Sequence, residues 1–580
     1  MDINTFSMIM IGLGAVFFLV LLGYVIKRAL DRQTGEIGGW QFSGASRTIT
    51  AIARTTLAEG IRAKIASGFA LLILVSVPFF WLTAEGDGTI KGRVQMFMTY
   101  SLGFTGFALA LLTILFACRS LANEIESCQI YGIVSKPVPR WQILAGKWCG
   151  VMTLNVVLLT LAGIGTYTGT RLILQQFKQD LSAKLISHAG FTPQQADDAV
   201  AALDRIRGIG KTGAESPVVD AMMEATGIPR GQLVESLLRL PESFRVDLRR
   251  FDELRRQVLV ARSVVSPELP DFSEQIEQRL QQLKQEGNLP TTMTERRIRE
   301  EIRKELVSDF CTVPSGSPPR QWILKGPAPE PDREVITSVR YKIIVAATLP
   351  KYVDPNTGGT LESESLLCRF GVGDPRTANF YAIQDVPTIR TFREFEVPMG
   401  IDVVEKDGTI RVVFANIDPR GVDAVFDFPD AIQILRQEGS FETNLFQTCL
   451  AILVPLACLA SFGVCASTFL GFRVGVLIVM CLFLISATMG FVREALAATE
   501  EYAPPNPGLA FEIRRTTVDT IDWILSVGDI DPLDSLMDGR AIGWWSLWTV
   551  FWKFDLLKGG IVMLIAVFVF RRRELAAVVV

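Results

Sequence analysis

Few of the residues here that could do chemistry stand at the spacing chemistry needs. Glu124 and Glu126 come nearest to a carboxylate pair for acid–base work, but residues two apart diverge around a helix, so they form no catalytic dyad. The run GIGKTG at Gly208 to Gly213 resembles a phosphate-binding loop. Such a loop needs a glycine five positions before its Gly-Lys pair; Arg205 stands there, and the run reads as a helix-capping loop. The one histidine, His188, excludes most His-ligated metal sites and reads as a surface helix residue. Of the nine cysteines, Cys118, Cys128, Cys149, Cys449, Cys458, Cys465 and Cys481 lie in or beside apolar runs as small apolar side chains. No metal-ligand spacing appears, and the chain reads as a non-enzyme with no catalytic, cofactor or metal residues of its own.

The remaining cluster of charges is the polar segment Arg119 to Lys147, with Glu124, Glu126, Lys136, Arg140 and Lys147, wedged between two apolar runs. Those runs, about Met96 to Cys118 and Trp148 to Tyr167, are each long enough to cross a hydrocarbon core, which takes roughly 20 residues. Short loops rich in Lys and Arg stay cytoplasmic, so the wedge is expected there. Pro137 and Pro139 break the helix and predict a turn before Trp141. A helix, a rigid turn and a second helix on one membrane face suit the docking of a soluble partner.

The elements that position this wedge are membrane spans. A hydrophobic share of 49% and a mean hydropathy of +0.31 exceed what a soluble chain needs, while 21% charged residues require a wet part. A net charge of -3 argues against nucleic acid as a partner. Further apolar runs at about Phe6 to Ile26, Ile65 to Thr83, Leu445 to Phe472, Val474 to Val492 and Leu547 to Phe570 bring the count to about seven spans. The first is a retained span, since Met1 to Thr5 is not basic and no cleavage site follows. Lys27, Arg28 and the arginines behind them put its C-terminal side in the cytoplasm. Walking on from there leaves residues 170 to 442 outside and Arg571 to Arg573 inside.

The wedge resembles the cytoplasmic signature of type-2 ABC transporter permeases. That signature has a Glu-rich helix, a Ser-Lys-Pro-Val turn followed by Arg, and Gly-Lys opening the next span. The matching residues are Glu124 and Glu126, Ser135 to Val138 with Arg140, and Gly146 and Lys147. The basic stretch Thr48 to Lys64 is similar to the family's interfacial elbow helix, and the ending FVFRRRELA is family-like. The chain departs from the pattern at Cys128 and Gln129, where Gly-Thr is common. The resemblance implies a permease core in two halves, residues 48–170 and 443–580, with an additional N-terminal span in residues 1–30. It also implies a separate ABC ATPase that uses the ATP, a second or related permease copy, membrane lipid as surroundings, and a place in the cytoplasmic membrane. Glu124, Glu126, Lys136, Pro137, Arg140, Gly146 and Lys147 are its ATPase-coupling residues. Glu124→Lys is expected to uncouple without unfolding, as an exposed charge would.

The inserted region is α+β. Residues 171–324 read as a helical subdomain: Thr192 and Pro193 start one helix, Pro241 to Arg262 and Ser273 to Gly287 carry others, and Glu295 to Glu305 is a solvated face. A proline-rich linker, SGSPPRQWILKGPAPEPDRE, leads into residues 325–442, where alternation predicts a small β-sandwich between about 333 and 430 with a hairpin at Asp407-Gly408. Cys311 and Cys368, both in the outer region, are candidates for a disulfide. The expected fold is thus an α-helical integral membrane bundle with an extracytoplasmic α+β insertion. The expected function is the permease subunit of an ABC exporter, or one that moves its outer domain. The alternative is a membrane-anchored receptor or scaffold acting through the insertion. An anchor needs neither wedge nor elbow helix, which favours the permease.

Overall fold

The computed structural model describes residues 44–62, 64–130, 132, 138–203, 217–240, 242–267, 269–286, 295–325, 337–345, 351–353, 360–376, 380–385, 387–397, 408–428, 430–501, 516–517 and 531–572. The Phe6 to Ile26 run, the GIGKTG run, and the first arm of the Asp407-Gly408 hairpin lie outside them. The chain divides into two compact units: Met1–Val260 with Ser440–Glu494 and Thr517–Val580, and Ala261–Gly439 with Ala495–Thr516.

The first unit is helical. Helix α1 (Gly44–Arg62) is the basic elbow stretch; α2 (Ile65–Thr83), α3 (Ile90–Glu126) and α4 (Arg140–Ala189) follow. After the second unit come α11 (Phe441–Phe469) and α12 (Phe472–Glu501), then α13 (Pro532–Met537), α14 (Trp544–Phe551), a π-helical stretch Trp552–Gly559 and α15 (Gly560–Arg572). Five helices, α2, α3, α4, α11 and Phe472–Val492 of α12, are long and apolar enough to cross a membrane. The expected seventh run is helical from Trp544 to Arg572, but Lys553, Asp555 and Lys558 interrupt it in the π stretch, so it is not among the five. These are three more ionisable groups than a plain span carries.

Helix α4 has 50 residues and is therefore about 75 Å long, against a hydrocarbon core of roughly 30 Å. Its far end leaves the apolar stretch and organises a small core, with Leu181 and Leu185 against α5 (Pro193–Leu203), α6 (Pro217–Thr226), α7 (Arg230–Leu238) and α8 (Glu242–Gln257) through Ala196, Met222, Leu233 and Phe244. Helix α8 returns onto α4, stacking Phe251 on Phe177 at 5.6 Å. His188 is exposed in the last turn of α4, as expected.

The stretch read as helix from Pro241 to Arg262 ends at Gln257, where the Leu254 carbonyl accepts from both the Val258 and Leu259 amides. The Val-rich run that follows is strand β1 (Val260–Val265), because branched side chains suit a pleated surface better than a helix.

In the second unit β1 is followed by α9 (Ser273–Gln285) and α10 (Glu295–Cys311), which meet through Leu280, Ile298 and Ile302. Two four-stranded sheets follow. One runs β1, β12 (Ile432–Ser440), β4 (Thr337–Lys342), β9 (Phe392–Glu396); the other runs β3 (Arg320–Lys325), β10 (Thr409–Asn416), β7 (Cys368–Gly373), β8 (Phe380–Asp385). Short pairs join β2 (Thr312–Val313) to β11 (Ala424–Val425) and β5 (Tyr352–Val353) to β6 (Thr360–Leu361). The sandwich thus reaches beyond 333–430. Its strand β3 lies inside the supposed linker, where Trp322 and Leu324 alternate inward between exposed neighbours. Strand β10 lies between β3 and β7 over Val412 to Phe414. Tyr341 of one sheet meets Phe370 of the other, ring centroids 4.0 Å apart, in a core that also holds Trp322, Phe414 and Phe426. Cys311 and Cys368 are both buried there, and no disulfide joins them.

Asp418 is a fully buried carboxylate of this sandwich, paired with Arg420 at 2.7 Å and accepting the Leu367 amide at 3.0 Å. Burial pushes its carboxyl up, but the hydrogen bonds from the Arg420 side chain and the Leu367 and Arg420 amides outweigh that and hold it below its ordinary 3.8. A carboxyl that binds its proton more weakly when folded stabilises fully above its unfolded pKa, and that stability is lost as pH falls through the folded one. Thermal unfolding of the sheets, followed by their infrared signal, is expected to be insensitive to this group at pH 5–7 and to weaken below about pH 4. Asp418→Asn should remove that acid-dependent component.

Candidate functional site

The polar wedge is shorter than its composition implies, because both its ends belong to the long helices. Helix α3 runs on to Glu126 and α4 starts at Arg140, after Pro139, whose carbonyl accepts the Gln142 amide at 2.9 Å. Pro139 cannot donate, so the first turn of α4 loses nothing by it. Beyond the Ser127 cap, Cys128 takes a left-handed φ of 60°. Where the permease pattern carries Gly at this turn, Cys128 keeps the conformation that glycine favours and bears its strain.

The centre of the site is Lys147, 1% exposed on α4. Its ammonium donates to Oε1 of Glu124 on α3 and lies 3.5 Å from Oε2 of Glu59 on α1. A buried ammonium is tolerated only with counter-charges at hand, and here they come from two other helices. Glu124 is 5% exposed, and its second oxygen has no partner among the described residues. The expectation that Glu124 is an exposed charge is therefore wrong. The helix face bearing it is covered by α1 and α4, and Glu124→Lys would bury two ammonium groups together.

Two residues beside Lys147 explain how α1 comes so close. A Cβ at Gly146 would stand 2.6 Å from Cβ of Ile52, and one at Gly150 would stand 2.8 Å from Cβ of Thr56 and 2.9 Å from the Ala53 carbonyl. Gly146 and Gly150 are four apart, so they form one small-residue face that lets two helix backbones touch. Gly146 is thus part of a helix contact.

Arg140 closes the opposite flank. Its guanidinium donates to the Phe570 and Arg571 carbonyls, the latter at 3.1 Å, and lies 5.5 Å over the Phe570 ring. The unsatisfied carbonyls of a helix end attract a cation, so Arg140 ties the start of α4 to the end of α15. Glu126 is exposed and accepts the Phe472 amide at 3.4 Å, placing an anion at the start of α12. Trp148 donates to the Ala457 carbonyl of α11 at 3.0 Å.

The structure therefore brings Glu124, Gly146 and Lys147 into one buried base that joins α1, α3 and α4, with half-buried Arg140 tying the start of α4 to α15 and Glu126 exposed at the rim. Lys136 and Pro137 lie outside the described residues. The side chains left to solvent at this end include Glu126, Cys128, Gln129 and Trp141. Sequence reasoning missed Glu59. The signal was present: it is the single acid in an elbow helix with Arg47, Arg54 and Arg62. Among the described residues no cluster of three metal-ligating side chains occurs.

Residues 5–192 match the family model described as ABC-2 family transporter protein. The match covers α1 to α4 and with them Glu59, Glu124, Arg140, Gly146, Lys147 and Gly150. No curated protein and no solved structure is matched by the chain.

Proposed function

We propose, on the premise that this chain is an ABC-2 type permease component with several membrane-crossing helices, that the segment between α3 and α4 receives a separate ABC ATPase and that the Lys147 triad passes its movement into the spans. The observation carrying this reading is the burial of Lys147 between carboxylates of α1 and α3. A force on residues 127 to 139 acts on two helix ends that an ion-paired base holds together, so it moves α1, α3 and α4 as a body. Glu126, Lys136 and Pro137 would meet the ATPase, while Glu124, Arg140, Gly146 and Lys147 would transmit. Nucleotide is used by the partner; no catalytic residue is assigned to this chain.

The same reading puts the connecting segment in the cytoplasm and residues 171–442 outside, following the Lys and Arg distribution. It makes the protein one subunit of a dimer of permeases with two ATPases in the cytoplasmic membrane, moving cargo outward or driving the outer domain. The lipid-facing apolar side chains of α12, such as Leu477 and Phe491, at 63% and 77% exposed, suit contact with lipid or a second permease copy.

The experiment is co-purification in detergent, comparing the natural chain with one whose residues 131–137 are replaced by a Gly-Ser linker of equal length, which spares the buried Ile130 and the core-packed Val138. A deletion from 122 to 145 would remove Glu124 and Arg140 and test only folding. The replacement is expected to lose a co-eluting ABC ATPase while remaining monodisperse, since the buried base is untouched. An ATPase retained by the replacement would refute the docking role.

A further inference from the structure

At the end of the spans remote from Lys147, within the first unit, a cavity of about 180 Å³ lies between the α2–α3 loop, the extension of α4 and α8. That is an order of magnitude more than the roughly 10–15 Å³ one water needs. Its charged lining is Arg93, Arg250, Glu85, Asp180 and Asp247. Asp247 is taken by Lys184 at 2.6 Å. Arg93 spends only its Nε, on the Ala84 carbonyl at 3.1 Å; Glu85 and Asp180 make no hydrogen bond or ion pair among the described residues, and Arg250 makes none either, acting only through space on the exposed Asp87 carboxylate. Two cations and two anions thus line one cavity without neutralising one another. Unpaired groups of both signs around a cavity suit a ligand carrying both signs.

The height of the cavity narrows the ligand further. Tyr167 stacks on Phe441 and Arg171 pairs with Glu442 at 2.7 Å, marking where the apolar stretch of α4 ends. The cavity begins two residues beyond Arg171, at Ile173, and extends to Asp180, which is about 3–14 Å farther along the helix. The polar headgroup layer adds roughly 5–8 Å on each side of the hydrocarbon core, so the Ile173 end of the cavity falls within it and the Asp180 end at its watery side. Ile90, Ile173 and Phe177 supply an apolar wall on the same cavity.

We infer that this cavity binds the headgroup of a phospholipid bearing a primary ammonium. The phosphodiester sits against Arg93 and Arg250, whose planar forks match phosphate oxygens, and the ammonium donates to Glu85 and Asp180. A quaternary ammonium has no proton to donate to those carboxylates, and a purely anionic headgroup meets them with repulsion. The site does not depend on the ATPase-coupling reading, because it lies at the other end of the spans.

The test reconstitutes the full chain into nanodiscs of phosphatidylcholine with a minority of either phosphatidylethanolamine or phosphatidylglycerol, re-extracts it, and quantifies retained lipid by native mass spectrometry. Arg250→Gln with Asp180→Asn, and Arg250→Gln alone, are compared with the natural chain; neither residue holds another, so both variants should fold. Phosphatidylethanolamine is expected to be selectively retained, and its retention to fall at least about tenfold in the double variant, as loss of charge-assisted hydrogen bonds implies. Displacement of the lipid by free O-phosphoethanolamine, with the same dependence on the variants, would support the chemistry with a soluble source. Equal retention of all three lipids, or retention unchanged by both variants, would overturn the inference.

Discussion

Lys147→Met is expected to destabilise the helical unit by about 3–5 kcal/mol, the cost of removing one partner from a buried ion pair. The loss comes from what remains: Glu124, 5% exposed and already short of a partner for one oxygen, would be left charged and unpaired between α1 and α4. Glu59 is 44% exposed, so it can rehydrate and contributes less. The double variant Lys147→Met with Glu124→Leu removes both charges and is expected to recover most of the loss, since apolar replacement of a buried pair is often close to neutral. Glu124→Lys should be as damaging as Lys147→Met. Thermal unfolding in detergent, read as the monodisperse fraction after heating, checks all three. A single Lys147→Met variant as stable as the natural chain would show that the triad is solvated.

Gly150→Leu is expected to cost about 1–3 kcal/mol or more and to push the elbow helix off α4. The first added carbon would meet the Ala53 carbonyl at 2.9 Å and Thr56 at 2.8 Å, and a backbone atom cannot turn away as a side-chain end can. Adding Gly146→Leu, whose Cβ meets Ile52 at 2.6 Å, should release α1 to proteolysis at Arg47 and Arg54. Gly68→Ala is the control. Nothing lies within 4 Å of a Cβ there, so it should be neutral or stabilise by up to about 1 kcal/mol, as a helical Gly→Ala change does. Trypsin cleavage rates in detergent separate the cases, and equal rates for Gly150→Leu and Gly68→Ala would refute the close contact.

Much of the architecture was legible because apolar runs need only be counted. The run at Ile65 to Thr83 became a helix with the same bounds, and the run at Val474 to Val492 lies inside a helix that starts two residues earlier and continues to Glu501. The elbow helix was legible from its basic, mildly amphipathic pattern. What local pattern could not show is which face of a helix another helix covers. Glu124 and Lys147 are 23 residues apart and Glu59 farther still, so their pairing depends on tertiary contact that no spacing rule reaches. The glycine pair at 146 and 150 was visible as small residues on one face, but its meaning required α1 beside it. Strand β3 was hidden by the prolines and glycines around it, although the alternation in RQWILK is plain once Trp322 and Leu324 are seen inward. Pairing of β1 with β12 links residues far apart in sequence, which is why the sandwich outran its expected bounds.

The most direct test of the central claim places a photo-crosslinking amino acid at Gln129, an exposed position just beyond α3, and a second, separately, at exposed Ser273 in the other unit. After irradiation of native membranes, the adducts are identified by mass spectrometry. Docking on the segment between α3 and α4 predicts an ABC ATPase crosslinked through position 129 and none through 273. An ATPase caught only through 273, or adducts at 129 consisting of lipid alone, would contradict it.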